Sequence, residues 1–211
     1  MARRATIPRD EVVQGLQRTF RSAGYDGASL TLLSAETGLA KAGLYHHFPG
    51  GKQEMAAAVF ENVGVWMKTH VFEPLRGAGE PRARLLAMTA ALDGYYGGGQ
   101  QACLLDLFST GGARPHFQAQ LRGGVQTWIA ALATTLADAG LPAPEAQLRA
   151  EDAVLRIEGA LVVSRALGDS GPFARLLKRL PTELLARPEP APPVARKDRP
   201  ALPPRKARRR P

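Results

Sequence analysis

Helical periodicity runs through almost every apolar stretch of this sequence, and a glycine or proline ends each one. That alternation leaves room for little but an all-helical fold. No run of β-branched residues alternates over a strand's length, and no Asn-Gly hairpin turn occurs. Val12, Val13, Leu16 and Phe20 form the stripe of a first helix over about residues 9–23, which Gly24 ends. Ser29 is a good N-cap for a short second helix over 30–37, with Leu30 and Leu33 facing inward and Gly38 as its stop. A third short helix covers 41–47, before Pro49, Gly50 and Gly51 break the chain.

Longer segments follow. A helix is expected over 52–72, stopped before Pro74. Pro81 opens another, with Leu85, Leu86, Met88, Leu92 and Tyr95, which Gly97, Gly98 and Gly99 end. A short apolar segment, 103–108, precedes helices over about 115–139, 145–167 and 172–187, the last re-initiated at Pro181. No internal repeat is evident.

Composition narrows the class. With 211 residues and 45% apolar content, the chain has enough material for one or two helical domains with a core. No apolar run approaches the ~18–20 residues of a membrane span. Residues 1–8 are basic but lack a signal peptide's apolar stretch, so a soluble cytoplasmic protein is expected. Cys103 is the only cysteine, which excludes an internal disulfide. The net charge of +9 is unevenly placed. Residues 1–60 hold 7 Lys/Arg against 5 Asp/Glu, residues 61–186 hold 12 against 12, and residues 187–211 hold 9 against 2. The basic character therefore belongs to a Pro- and Arg-rich tail, 188–211, with too little apolar bulk to fold. That tail reads as a disordered, solvated extension; non-specific phosphate contacts from Arg205 through Arg210 are the other reading.

The second and third helices are joined by Thr37-Gly38-Leu39-Ala40, in which Gly38 supplies the tight turn and Leu39 fills the angle. This is the pattern of a helix-turn-helix, whose second helix enters the DNA major groove. The stretch Gly24-Tyr25-Asp26-Gly27-Ala28-Ser29-Leu30, followed by Thr37-Gly38-Leu39-Ala40-Lys41-Ala42-Gly43-Leu44-Tyr45-His46-His47-Phe48, resembles the TetR family signature. At motif level the likeness covers residues 8–60. The turn Pro49-Gly50-Gly51-Lys52, with its extra residue, is similar to the LmrA/YxaF branch.

The resemblance implies a DNA-binding domain over 1–51 and a helical ligand-binding and dimerisation domain over 52–187. It implies that Lys41, Ala42 and Gly43 lead the recognition helix toward base edges. Tyr45 would contact phosphate or a thymine methyl, and His46 and His47 would lie against the backbone. Lys52 would bind phosphate, and Thr31 would be the other DNA contact. Leu44 and Phe48 would be core. Ala28 and Ala40 stand where the family often has a hydroxyl, and neither caps a helix with its side chain. Lys41 is the one strong base reader, best suited to guanine.

The resemblance further implies that the last two long helices pack against their symmetry mates as a four-helix bundle. Glu151, Glu158 and Arg165 recur every seven residues and read as one polar line. Leu155 with Val162, and Ile157 with Leu161, form apolar flanks, and Gly159 and Ala160 permit close approach, so these six are the candidate interface. By resemblance a pocket lies among the middle helices, with Trp66, Met67, His70, Phe108, Phe117 and Trp128 as candidates, for an apolar or aromatic small molecule. The implied function is a repressor that binds a palindromic operator in double-stranded DNA as a homodimer and is released by a small-molecule effector. A constitutive DNA-binding protein, or a helical enzyme or scaffold, is the alternative.

Other chemistry is weakly represented. Gly50-Gly51-Lys52 is not a phosphate loop, because His46 and Gln53 occupy the positions that need glycine and Ser/Thr. The four histidines do not pair with cysteines or carboxylates at metal-ligand spacing, so no metal is expected. No nucleophile elbow, paired-acid motif or dinucleotide loop occurs, so neither an enzyme nor a cofactor is expected. Cys103 lies in an apolar run and is expected to be buried rather than redox-active.

Overall fold

A computed structural model of the chain describes residues 7–186; the tail read at 188–211 lies outside them. The described residues form helices α1 (Arg9–Gly27), α2 (Leu30–Thr37), α3 (Lys41–His47), α4 (Gly51–Met67), α5 (Glu73–Arg76), α6 (Pro81–Tyr95), α7 (Leu104–Phe108), α8 (Arg114–Asp138), α9 (Ala143–Leu167) and α10 (Gly171–Leu185). No strand occurs among the described residues. The fold is all-α, with three N-terminal helices forming a head on a larger helical body.

Three boundaries depart from expectation, each for a local reason. The helical turns of α1 resume as far as Gly27, but Gly24 takes the non-helical φ 67° and ψ 179°, so the first helical run ends at the expected glycine and a short turn follows across a kink. The segment before Pro74 does not stop. A π-helical turn, Lys68–Phe72, shifts the hydrogen-bond register and places Pro74 in the first turn of α5. The change of register at the π turn is where the continuous helix accommodates the proline's missing N–H. Pro181 does not restart a helix either: α10 runs through it, and the proline ring is itself buried.

Two apolar clusters organise the packing. One joins Val12, Leu16 and Phe20 of α1 to Leu33, Leu44 and Phe48, then to Met55, Ala56 and Val59 of α4. It also takes in Phe108 of α7 and Phe117 of α8. The other fills the body between α6, α8, α9 and α10, around Leu85, Leu92, Leu132, Ile157 and Leu180. Arg84 is buried there; its guanidinium donates to the Leu75 carbonyl at 3.0 Å and pairs with Asp138 at 2.8 Å, which satisfies the charge. The polar line read along α9 divides: Glu151 is exposed, whereas the other two turn inward. Glu158 is largely buried, and Arg165 pairs with Asp106 of α7 at 2.8 Å.

Candidate nucleic-acid interface and ligand cavity

The helix-turn-helix forms from local chemistry. The Ser29 hydroxyl accepts the Leu32 N–H at 3.2 Å, capping α2. Gly38 takes φ 69° and ψ 5°, the left-handed conformation a side chain would strain. The Thr37 hydroxyl donates to the Leu33 carbonyl at 2.7 Å and closes the last turn. Gly15 of α1 allows the close approach of α2: a Cβ there would lie 3.1 Å from the Glu36 carbonyl oxygen. Leu44 and Phe48 are fully buried and hold α3 against the head's core. Ala28 is also fully buried, where a hydroxyl would need its own partner, and Ala40 precedes α3 without a side-chain cap.

Thr31, Lys41, Ala42, Tyr45 and His46 are exposed, whereas Gly43 and His47 are half-buried. Lys52 is placed differently. Its ammonium donates to the Tyr25 carbonyl at 3.0 Å and lies 4.7 Å from that ring's centroid, tying α4 to the end of α1. Two of its three donor hydrogens remain for other acceptors.

A cavity of about 500 Å³ opens in the body beneath the head. α4 contributes Phe60, Val63 and Met67 to its wall, and α8 contributes Leu121, Val125 and Trp128. Tyr95, Tyr96, Cys103 and Leu104 line it from the end of α6 and the start of α7, and Glu158 does so from α9. Of the six residues expected here, Met67 and Trp128 line it. Trp66 instead stacks on Tyr95 at 3.9 Å between centroids, outside the wall, with the exposed His70 beside it. Phe108 and Phe117 pack with Phe20, Tyr25 and Phe60 in an aromatic cluster, because short α7 turns the Phe108 ring toward α1 and the start of α8 brings Phe117 beside it. Large apolar residues alone do not distinguish a cavity wall from a core.

The cavity's polar groups were not read as such from sequence. Glu158 stands four residues after buried Val154 and three before buried Leu161, a spacing that puts it on the inward side of α9. Burial, chiefly, raises its carboxyl from 4.5 to about 7. Burial also raises the Cys103 thiol to about 12, so at neutral pH it stays protonated and unreactive. The Tyr96 hydroxyl donates to the Cys103 sulfur at 3.2 Å. Three buried polar atoms of the cavity's lining residues lack a hydrogen-bond partner: Glu158 Oε1, Trp128 Nε1 and Arg21 Nε.

Because the folded-state pKa of Glu158 is raised, its protonated form is favoured in the fold. The stability this contributes is full below about pH 4.5 and is lost as pH rises through about 7. Glu158→Gln is therefore expected to stabilise the protein near pH 8 by roughly 1–3 kcal/mol and to have little effect near pH 5. Urea unfolding at both pH values measures this, and equal effects at the two would refute it.

The head reaches the cavity directly. Arg21 of α1 lines it, with its guanidinium carbon 4.4 Å from the Tyr95 ring centroid. Gln17 of α1 donates to the Tyr95 hydroxyl at 3.3 Å. Asp26, in the last turn of α1, accepts from the Gly112 N–H at 3.0 Å. A change in the cavity wall thus bears on the helix that carries the head, as well as on α4.

A helix-turn-helix head fixed to a helical body with an internal cavity defines a class of regulatory protein. The chain matches the model for bacterial regulatory proteins of the tetR family over residues 15–59. It also matches the model for the C-terminal domain of LmrA/YxaF-like transcriptional regulators over residues 98–179. The chain belongs to the TetR family. The HTH-type transcriptional regulator LmrA of Bacillus subtilis is 26% identical over 84 residues, which cover 40% of this chain and 45% of LmrA, less than half that relative's length. A TetR regulator from Legionella pneumophila superposes with a TM-score of 0.73 at 16% identity, covering 86% of this chain and 99% of that one. A cysteine mutant of the TetR family regulator CifR, solved with 26-base-pair double-strand operator DNA, gives a TM-score of 0.68 at 18% identity, covering 85% and 98%. No described helix is long and apolar enough to cross a membrane, and no described group of three His, Cys, Asp or Glu is placed to hold a metal ion.

Proposed function

We propose that this chain is a DNA-binding transcriptional regulator, acting in the cytoplasm as a repressor, that binds a palindromic operator as a homodimer and releases it on binding a small molecule. The observation that carries the reading is the α2–Gly38–α3 unit. Its apolar residues lock it into the head while Lys41, Ala42, Tyr45 and His46 stand exposed. The head is assigned to residues 1–51 and the body to 52–187. Lys41 reads a base, Ala42 and Gly43 allow close approach, Thr31, Tyr45, His46 and His47 position the helix on the backbone, and Lys52 supports both the head and a phosphate.

The expected pairing through the last two long helices, read over 145–167 and 172–187 and observed as α9 and α10, is revised: we assign the dimer to the outer faces of α8 and α9. Leu148, Leu155, Val162, Val163 and Leu167 form an exposed stripe on α9, with open space at Gly159. Ala119, Gly123, Ala130 and Ala137 are exposed on α8. Two of the expected interface residues are corrected: Ile157 and Leu161 are 0% and 1% exposed and belong to the chain's own core. Ala160 is half-buried. The outer side of α10, with Arg175, Lys178 and Arg179, is charged and suits solvent rather than an apolar interface. The cavity favours a ligand-responsive switch over constitutive binding. A ligand shifts the heads only by its differential affinity for the two states, about 1–3 kcal/mol in typical cases.

Genomic footprinting with the purified protein tests the reading. A protected palindrome is expected, and its absence overturns the proposal. On the operator so found, Lys41→Ala is expected to weaken binding by about 1–3 kcal/mol and relax preference at one base pair per half-site. Titration against single-base operator variants checks this, and unchanged affinity with the head folded would remove Lys41 from base reading.

A further inference from the structure

We propose that the cavity binds an aromatic or otherwise apolar ligand carrying a cationic nitrogen, with Glu158 as its counter-ion. The proposal rests on the effector-binding reading and names the ligand class for that site.

The wall supplies one orphan acceptor, Glu158 Oε1, beside two orphan donors, Trp128 Nε1 and Arg21 Nε. An apolar ligand without polar groups leaves all three unsatisfied in a water-poor space, which is costly. The chain's own cations near the carboxylate are each partly committed to other groups, although the Arg165 charge still acts on Glu158 and the Nε atoms of Arg165 and Arg21 have no partner. Arg165, seven residues along α9, pairs with Asp106 at 2.8 Å. Arg21 lies over the Tyr95 and Tyr96 rings and donates to Gln101. A second carboxylate, Glu61, also lines the cavity. An anionic ligand would therefore meet two carboxylates and one committed guanidinium. A cation meets the Glu158 carboxyl in a wall otherwise built from aromatic and apolar side chains, Phe60, Tyr96 and Trp128 among them. The Trp128 N–H additionally takes an acceptor on the ligand, such as an ether or carbonyl oxygen.

Burial supports the assignment by keeping Glu158 near half-protonated at neutral pH, so that an arriving cation displaces a proton. Tyr96, Cys103, Asp106 and Arg165 surround the carboxyl, and Arg21, Glu61 and Tyr95 share its cavity. Of these, Cys103, Tyr95 and Tyr96 are displaced upward from their ordinary values and stay neutral in this range, so binding is expected to tighten between about pH 6 and about pH 8 as Glu158 loses its proton.

Three probes on one ring system separate charge from shape: anthracenylmethylamine, anthracenylmethanol and anthracenecarboxylate. Each is titrated by calorimetry into the purified full chain and into Glu158→Gln, which removes the charge with little change of shape. The wild type is expected to bind the amine at least about tenfold more tightly than the alcohol or the carboxylate. Glu158→Gln is expected to lose that preference while holding the alcohol within about threefold. Equal binding of the three, preference for the carboxylate, or an amine preference that survives in Glu158→Gln overturns the proposal. Failure of all three to bind overturns it together with the cavity's role. Adding operator DNA separates the two readings: an amine that binds without releasing DNA upholds the ligand class and removes the effector role.

Discussion

Phe108→Ala is expected to lower the stability of the folded chain by about 3–5 kcal/mol while leaving ligand affinity in the cavity nearly unchanged. Phe108 is fully buried. Its ring lies 5.5 Å from Phe20, 5.6 Å from Tyr25, 4.9 Å from Phe60 and 5.5 Å from Phe117, all edge-to-face. Those neighbours come from α1, α4 and α8, so one ring on the short α7 joins head to body. Edge-to-face pairs contribute beyond area burial, and truncation leaves a cavity that four rigid rings fill poorly. Phe108→Leu keeps most of the volume and is expected to cost about 1–2 kcal/mol. Denaturant unfolding of both variants, beside titration with the amine probe, decides the point. A small loss of stability with a large loss of ligand affinity would put Phe108 in the cavity wall, where its size and apolarity alone had suggested it.

That example marks where sequence is informative. Helix α2 was legible to the residue because its limits are set by local chemistry, a hydroxyl cap at Ser29 and a left-handed glycine at Gly38, and α3 was legible between that turn and the Pro49-Gly50 break. Prolines were less legible, because their effect depends on what surrounds them. Pro74 is accommodated by a π turn and Pro181 by burial within α10. The two sides of α9 look alike in sequence, since Leu155 and Leu161 are chemically the same residue. Only packing shows that Leu161 faces the body and Leu155 faces out. The cavity was least legible. It is formed by side chains from six helices, and its distinguishing polar group, Glu158, sits in a heptad with Glu151 and Arg165 that mimics a solvated line. Arg21 was equally hidden, because nothing in the sequence tells that α1 reaches into the body.

Replacing both Leu155 and Val162 with arginine is expected to split the dimer and abolish operator binding without disturbing either apolar cluster. In the folded chain Leu155 is 71% exposed and Leu148 and Leu167 are 67% and 65% exposed, a row of large apolar side chains with no partner among the described residues. A two-fold interface uses the same patch on both subunits, so each substitution counts twice. Burying one leucine contributes about 1.5–3 kcal/mol, and losing it on both sides removes about 3–6 kcal/mol, a weakening of dimerisation by roughly two to four orders of magnitude before any charge repulsion. Neither position touches α2 or α3, so the isolated head keeps its fold and its weak affinity for DNA. It loses the second half-site, which one short recognition helix with Ala42 and Gly43 at its start is poorly equipped to do without. Sedimentation at micromolar concentration reads the assembly and a footprint reads the binding. The wild type is expected as a dimer of 22.6 kDa chains and the double variant as a monomer with unchanged helicity by circular dichroism. A wild-type monomer that still holds its operator tightly, or a double variant that remains dimeric, defeats the assignment of α9's outer face.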